Sequence, residues 1–158
     1  MNFIKTVLLS ILALLLFSCN SDDDICTNGE ATPRFKMKFK SQSTGKLKTL
    51  DSLYLTVDYG NGNLGVLTRA KVDSVLVPLR IDDSGFTEIY VKTSKNGPQS
   101  KLRFMYQSKT EYVSPACGVK KLYEQLSVEL LAPNPVLSVE TIENQIINEN
   151  KTPVYLHF

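Results

Sequence analysis

From Phe35 onward the chain repeatedly alternates apolar with polar side chains, and that period of two limits the folds open to it. Phe35, Met37 and Phe39 alternate with Lys36, Lys38 and Lys40. Successive side chains of an extended strand point to opposite faces, so this run has one apolar face and one cationic face. The pattern returns at Leu53, Leu55 and Val57, at Val75, Val77 and Leu79, at Ile89 and Val91, and at Leu102, Phe104 and Tyr106. It closes the chain at Val154, Leu156 and Phe158. Pro78 cannot donate to a ladder, which points to a sheet edge or a bulge. Asp82-Asp83-Ser84-Gly85 and Lys95-Asn96-Gly97-Pro98 are turn sequences between strands. Two segments keep alternatives. Between Val119 and Leu131 the apolar spacing fits a helix (Val119, Leu122, Tyr123, Leu126, Leu130) or a strand (Leu126, Val128, Leu130). The strand is favoured because its neighbours are strands. Val136 to Ile147 reads as a strand pair, or as a strand with one helical turn.

Several short strands separated by polar turns, without a long amphipathic helix, predict an all-β fold over 34–158, an antiparallel β-sandwich of immunoglobulin-like arrangement. The chain has no Trp and no central cysteine pair, so the antibody-type version is excluded. No internal repeat is visible, and there is room for one such domain.

The N-terminus follows different rules. Lys5 precedes a nearly unbroken apolar run from Thr6 to Phe17, which ends at Ser18-Cys19. A positive start, a short apolar segment and a small residue before the cut mark an export signal, expected here as a signal helix cleaved after residue 18. The run is too short for a membrane span, which takes ~20 apolar residues. Leu16-Phe17-Ser18-Cys19 resembles the lipobox of bacterial lipoproteins, although Phe17 is bulkier than the usual residue there. That resemblance implies diacylglycerol on the Cys19 thiol and an acylated Cys19 amine. Each buried methylene contributes about 0.8 kcal/mol, so two or three chains hold a protein on a bilayer almost permanently. The expected division is a lipoprotein signal peptide over 1–18, an acidic tether over 19–33 and the sandwich over 34–158. Within the tether, Ser21, Asp22, Asp23 and Asp24 cannot bury themselves and stay solvated. They also resemble the acidic export tag of Bacteroidetes surface lipoproteins. The expected location is the outer membrane, with the outer surface favoured over the periplasmic face.

Lys and Arg nearly balance Asp and Glu, with a formal charge of +2, so no strong field draws nucleic acid. Of three cysteines, Cys19 is taken by lipid, which leaves Cys26 and Cys117 as an even pair in an oxidising compartment. A Cys26–Cys117 disulfide is expected, and the loop-entropy relation gives it an upper value of roughly 4 to 5 kcal/mol. Two separate buried thiols are the alternative.

No catalytic residue, metal site or cofactor is expected. His157 is the sole histidine and alternates with Leu156 and Phe158, toward solvent or the sandwich rim. No nucleophile elbow accompanies it. Asp58 to Gly65 has calcium-loop composition but the wrong spacing, with glycines where side-chain oxygens belong and Arg69 at the bidentate acid position. It reads as a glycine-rich turn. Asp82-Asp83 reads as a pair of solvated carboxylates. The Lys36/Lys38/Lys40 face suits anionic polysaccharide or lipid headgroups, but lysines also blunt strand edges, and that reading is preferred. Asp51-Ser52-Leu53 and Asp73-Ser74-Val75 resemble the short O-glycosylation acceptor of Bacteroidetes. The Asn150-Lys151-Thr152 sequon carries little meaning in a bacterium.

Cys19 to Asp24, Cys26, Thr32-Pro33, Asp73-Ser74-Val75 with Pro78-Leu79, and Tyr112-Val113-Ser114-Pro115-Ala116-Cys117-Gly118 together resemble an uncharacterised family of small Bacteroidetes lipoproteins. The resemblance implies a compartment and a disulfide, and no activity. The expected role is binding or structural and non-enzymatic, with a membrane contact through the lipid on Cys19 and an envelope protein or polysaccharide as partner. An accessory subunit of an outer-membrane complex and an envelope hydrolase are the alternatives. The loops at Gly60–Gly65 and Lys95–Gln99 are the first places to look for function.

Overall fold

The computed structural model describes residues 31–62 and 64–158. The expected signal peptide over 1–18, Cys19, the expected export tag Ser21 to Asp24, and Cys26 lie outside them. The described residues hold nine strands: β1 (Phe35–Lys40), β2 (Leu50–Asp58), β3 (Leu64–Val72), β4 (Ser74–Val77), β5 (Phe86–Lys92), β6 (Ser100–Ser114), β7 (Gly118–Ala132), β8 (Ser138–Thr141) and β9 (Val154–His157). They form two sheets in the orders β4-β1-β9-β8 and β3-β2-β5-β6-β7. All pairs are antiparallel except β1 with β9. The predicted β-sandwich forms, and Val119 to Leu131 is strand, within β7. Val136 to Ile147 contains the short strand β8 followed by an irregular return.

The period of two becomes the core. Phe35, Met37 and Phe39 from the four-stranded sheet face Leu53, Leu55, Ile89, Val91, Leu102 and Phe104 from the other, all essentially inaccessible. Phe35 meets Phe104 across the sheets with ring centroids 4.7 Å apart, and Phe158 caps Phe39 edge-on at 5.8 Å. Pro78 directly follows β4, which is an edge strand, as the proline predicts. The preferred reading of the lysine face needs correction, because β1 lies between β4 and β9 and is not an edge. Its lysines instead cover the outer face of a central strand. Lys40 bonds Glu140 at 2.6 Å and lies 4.1 Å from the centre of the Tyr155 ring.

The two long sides of the sandwich differ. On one, the segment after β8 folds against β7. Tyr123 and Ile146 exchange backbone hydrogen bonds (3.2 and 2.8 Å), and the Leu126 N–H donates to the Asn144 carbonyl at 2.8 Å. That side is laced shut. On the other, β3 and β4 are both edge strands, and among the described residues no backbone hydrogen bond joins them.

β6 and β7 outrun the sandwich. The last β5–β6 pair is Phe86 with Met105, but β6 and β7 continue from Gln107–Glu124 to Ser114–Gly118 as a two-stranded arm. A bulge at its root, with Gln125 at φ 55°, breaks the register between Met105 and Gln107. Asp83 anchors the root by accepting from Lys121 Nζ (2.7 and 2.9 Å) and from Ser108 Oγ (2.7 Å).

Candidate binding seam

The open side carries a trough along the β3 and β4 edges, in three neighbouring parts that share lining residues. At the end of the sandwich nearest the arm, a cleft of about 420 Å³ is lined by Thr32, Pro33, Tyr59, Pro78, Leu79, Arg80, Ile81 and Asp82. Tyr59 and Pro78 also border a narrower 190 Å³ stretch with Gly65, Val66, Leu67 and Leu76. Leu67 and Leu76 lead on to a third part of about 310 Å³ beside Arg34, Lys36 and Arg69.

Local chemistry builds each wall. Gly60, Asn61 and Gly62 all take positive φ (86°, 53° and 77°), as a glycine- and asparagine-rich turn allows. The Gly60 N–H donates to Asp58 Oδ1 at 2.7 Å, so Asp58 pins the turn rather than a cation. A Cβ on Gly60 would lie 2.6 Å from Arg80 Nη2, and one on Gly65 would lie 2.6 Å from the Tyr59 ring. Both glycines therefore admit a neighbouring side chain, and the Tyr59 ring covers Gly65 at the cleft wall. Burial pushes the Tyr59 hydroxyl up from its ordinary pKa, so it stays neutral and can donate and accept.

Arg80 donates Nε–H to Asp82 Oδ1 at 3.1 Å and packs 5.5 Å from the centre of the Phe86 ring. The hydrogen bond from Arg80 holds Asp82 down at about 2. Hydrogen bonds from Lys121 and Ser108 likewise lower Asp83. These two carboxylates, expected to be free in solvent, are each committed to a basic partner. At the far end of the trough Arg34 makes a bidentate pair with Glu149, both bonds 2.8 Å. Arg69 donates to the Thr68 carbonyl at 2.9 Å, and the Lys36 charge adds to that of Arg34 in lowering Glu149. The trough thus offers apolar walls, one neutral phenol and a cationic end, flanked by two strands with unpaired backbone. Val66 on β3 is 74% exposed and Ile81 at the cleft rim 63% exposed, so apolar surface is displayed there.

The other residues singled out in the sequence lie apart from the seam. His157 sits on the outer face of the four-stranded sheet, 3.2 Å from Glu140 and beside Lys40. Ser52 is half-buried and donates to the Thr93 carbonyl, whereas Ser74 donates to Asp73 at 3.0 Å. Asn150 and Lys151 are exposed. Of the two favoured loops, Gly60–Gly65 borders the cleft, while Lys95–Gln99 forms the β5–β6 turn at the opposite end. Cys117, in the turn at the arm's tip, is disulfide-bonded, and its expected partner Cys26 lies outside the described residues. No three His, Cys, Asp or Glu side chains cluster to hold a metal among the described residues.

Sequence reading missed one buried polar cluster. Tyr106 shares a 2.6 Å hydrogen bond with Thr87 Oγ1 and donates to the Arg80 carbonyl at 3.3 Å. Its ring meets Tyr123 edge-on at 4.9 Å. The Tyr123 hydroxyl is buried with no hydrogen-bond partner. In the sequence Tyr106 is legible only as an apolar position of its strand.

Fold and trough together define a small β-sandwich with one closed side and one open, strand-edged side. The chain belongs to the family of unknown function DUF6452, which it matches over residues 52–158. The match includes the Ser114-Pro115-Ala116-Cys117-Gly118 tip and begins within β2, so β1 precedes it. Comparison with curated proteins and with solved structures finds no match.

Proposed function

We propose that this protein is a lipid-anchored lipoprotein of the bacterial outer membrane that works by binding rather than catalysis. In this reading Cys19 carries the lipid, residues 1–18 are removed, and Ser21 to Asp24 direct the domain outward in a Bacteroidetes-type envelope. Cys26 pairs with Cys117. The open seam receives an extended segment of an envelope protein, making the chain an accessory subunit.

One observation carries the binding role: β3 and β4 leave strand edges and an apolar trough open on one side, while backbone hydrogen bonds close the other. A free edge beside a trough suits strand addition, in which main-chain bonds give affinity and alternate side-chain pockets give specificity. Arg34, Lys36 and Arg69 outnumber the carboxylate of Glu149 at one end, which favours a segment with acidic residues there.

Photo-crosslinking in intact cells tests this. A crosslinking residue at Val66 or Ile81 should capture one discrete envelope protein, and one at Gln99, at the far end, should not. The capture at Ile81 should disappear when Val66→Lys is added. Equal capture from all three positions, or none from the seam, contradicts the proposal.

A further inference from the structure

The β6–β7 arm is longer than the sandwich requires, and its tip is apolar. Tyr112 and Val119 face each other across the two strands and are 65% and 60% exposed. A cross-strand tyrosine–valine pair in water contributes little to the fold, whereas such a pair suits the headgroup boundary of a bilayer, where an amphipathic ring sits favourably. The charges beside the tip are paired, Lys120 with Glu111 at 3.1 Å and Lys121 with Asp83, while Lys109 and Glu124 lie nearer the root.

With a lipid on Cys19, the chain's own connectivity limits how far the arm can lie from the bilayer. The Lys121 N–H donates to Thr32 Oγ1 at 2.9 Å, which fixes the start of the sandwich against the arm, two residues from Val119. Counting from Cys19 to Thr32 in the sequence leaves thirteen residues, a reach of at most ~45 Å when fully extended. A bond from Cys26 to Cys117 shortens the free tether to seven residues, about 25 Å. The turn at Lys95–Gln99 lies beyond both the arm and the full length of β5 from the tip. A short tether makes contact at the tip intramolecular, so even weak insertion is populated.

We infer that the β6–β7 arm tip, through Tyr112 and Val119, inserts into the phospholipid headgroup boundary and holds the sandwich upright on the bilayer. This rests on the lipoprotein reading above and adds an orientation to it.

The chain contains no Trp, so one introduced indole reports alone. The probe is the full lipidated protein, carrying Tyr112→Trp or Gln99→Trp, in phosphatidylcholine/phosphatidylglycerol vesicles with brominated acyl chains. The expected result for Tyr112→Trp is a blue-shifted emission that loses about half its intensity to bromine, with the emission of Gln99→Trp unaffected. Val119→Asp in the Tyr112→Trp background should abolish most of that quenching while the protein still floats with the vesicles. Flotation without quenching in Tyr112→Trp, or equal quenching in both variants, overturns the inference and leaves the lipid anchor standing. A blue shift without quenching means that a second protein copy covers the tip, and also overturns it. Flotation unchanged by Cys19→Ala removes the anchor and the inference together.

Discussion

Tyr106 and Tyr123 touch in the same core, yet phenol-to-phenyl substitution at each should shift stability in opposite directions. The Tyr123 hydroxyl is buried without a partner, and a buried unsatisfied group costs about 1–3 kcal/mol. Tyr123→Phe removes that cost and leaves a void the size of one oxygen, worth only a few tenths of a kcal/mol. The expected net effect is stabilisation by about 1–2 kcal/mol. Tyr106→Phe instead breaks the 2.6 Å bond to Thr87 and the 3.3 Å bond to the Arg80 carbonyl. Thr87 Oγ1 keeps the bond it accepts from the Arg80 N–H at 3.0 Å, so the loss is partial, about 1–2 kcal/mol. The two variants should therefore differ by about 2–4 kcal/mol. Urea titration of the disulfide-intact protein reads this as midpoints moving apart at unchanged slope. Equal loss of stability in both variants would mean that Tyr123 has a partner after all, and the packing account of this end of the core would be wrong.

Three further outcomes follow from the same geometry. Burial raises the Tyr123 and Tyr106 pKa values above the ordinary 10.0, so the native state keeps protons that the unfolded chain gives up; stability is full below about pH 10 and declines above it, less steeply in Tyr123→Phe. Asp83 is lowered from its ordinary 3.8 by Lys121 and Ser108, so the arm root is held above that pH and released as pH falls below it. Asp83→Asn should speed amide exchange at Ser108 and Lys121 at neutral pH and leave β1 and β5 unchanged. Gly60→Ala meets both a φ of 86° and the Arg80 guanidinium, and should cost about 1–2 kcal/mol in chemical denaturation while freeing Arg80 from Asp82.

Strands with one covered face were legible in the sequence, because burial on one side imposes alternation. Phe35–Phe39, Leu53–Val57 and Leu102–Tyr106 stand where the pattern put them. β3 left no such trace. It borders the open seam, most of its residues are exposed, and Gly65 interrupts it. The β6 half of the arm was illegible for a related reason: from Ser108 to Ser114 no side chain is buried, so no apolar period develops. β7 looked partly helical because the bulge at Gln125 shifts the phase, which leaves Tyr123 and Leu126 both buried three residues apart. The seam depends on which strands become edges and which edges are covered. That is set by chain-distant pairings such as β1–β4 and Tyr123–Ile146, which no local pattern encodes.

Everything proposed about location and orientation depends on the modification of one cysteine. Intact mass spectrometry of the protein extracted from membranes decides it. The account predicts a chain beginning at Cys19, heavier than its polypeptide by a diacylglyceryl group and one further acyl chain. A chain that still carries residues 1–18, or one whose mass is polypeptide alone, contradicts it.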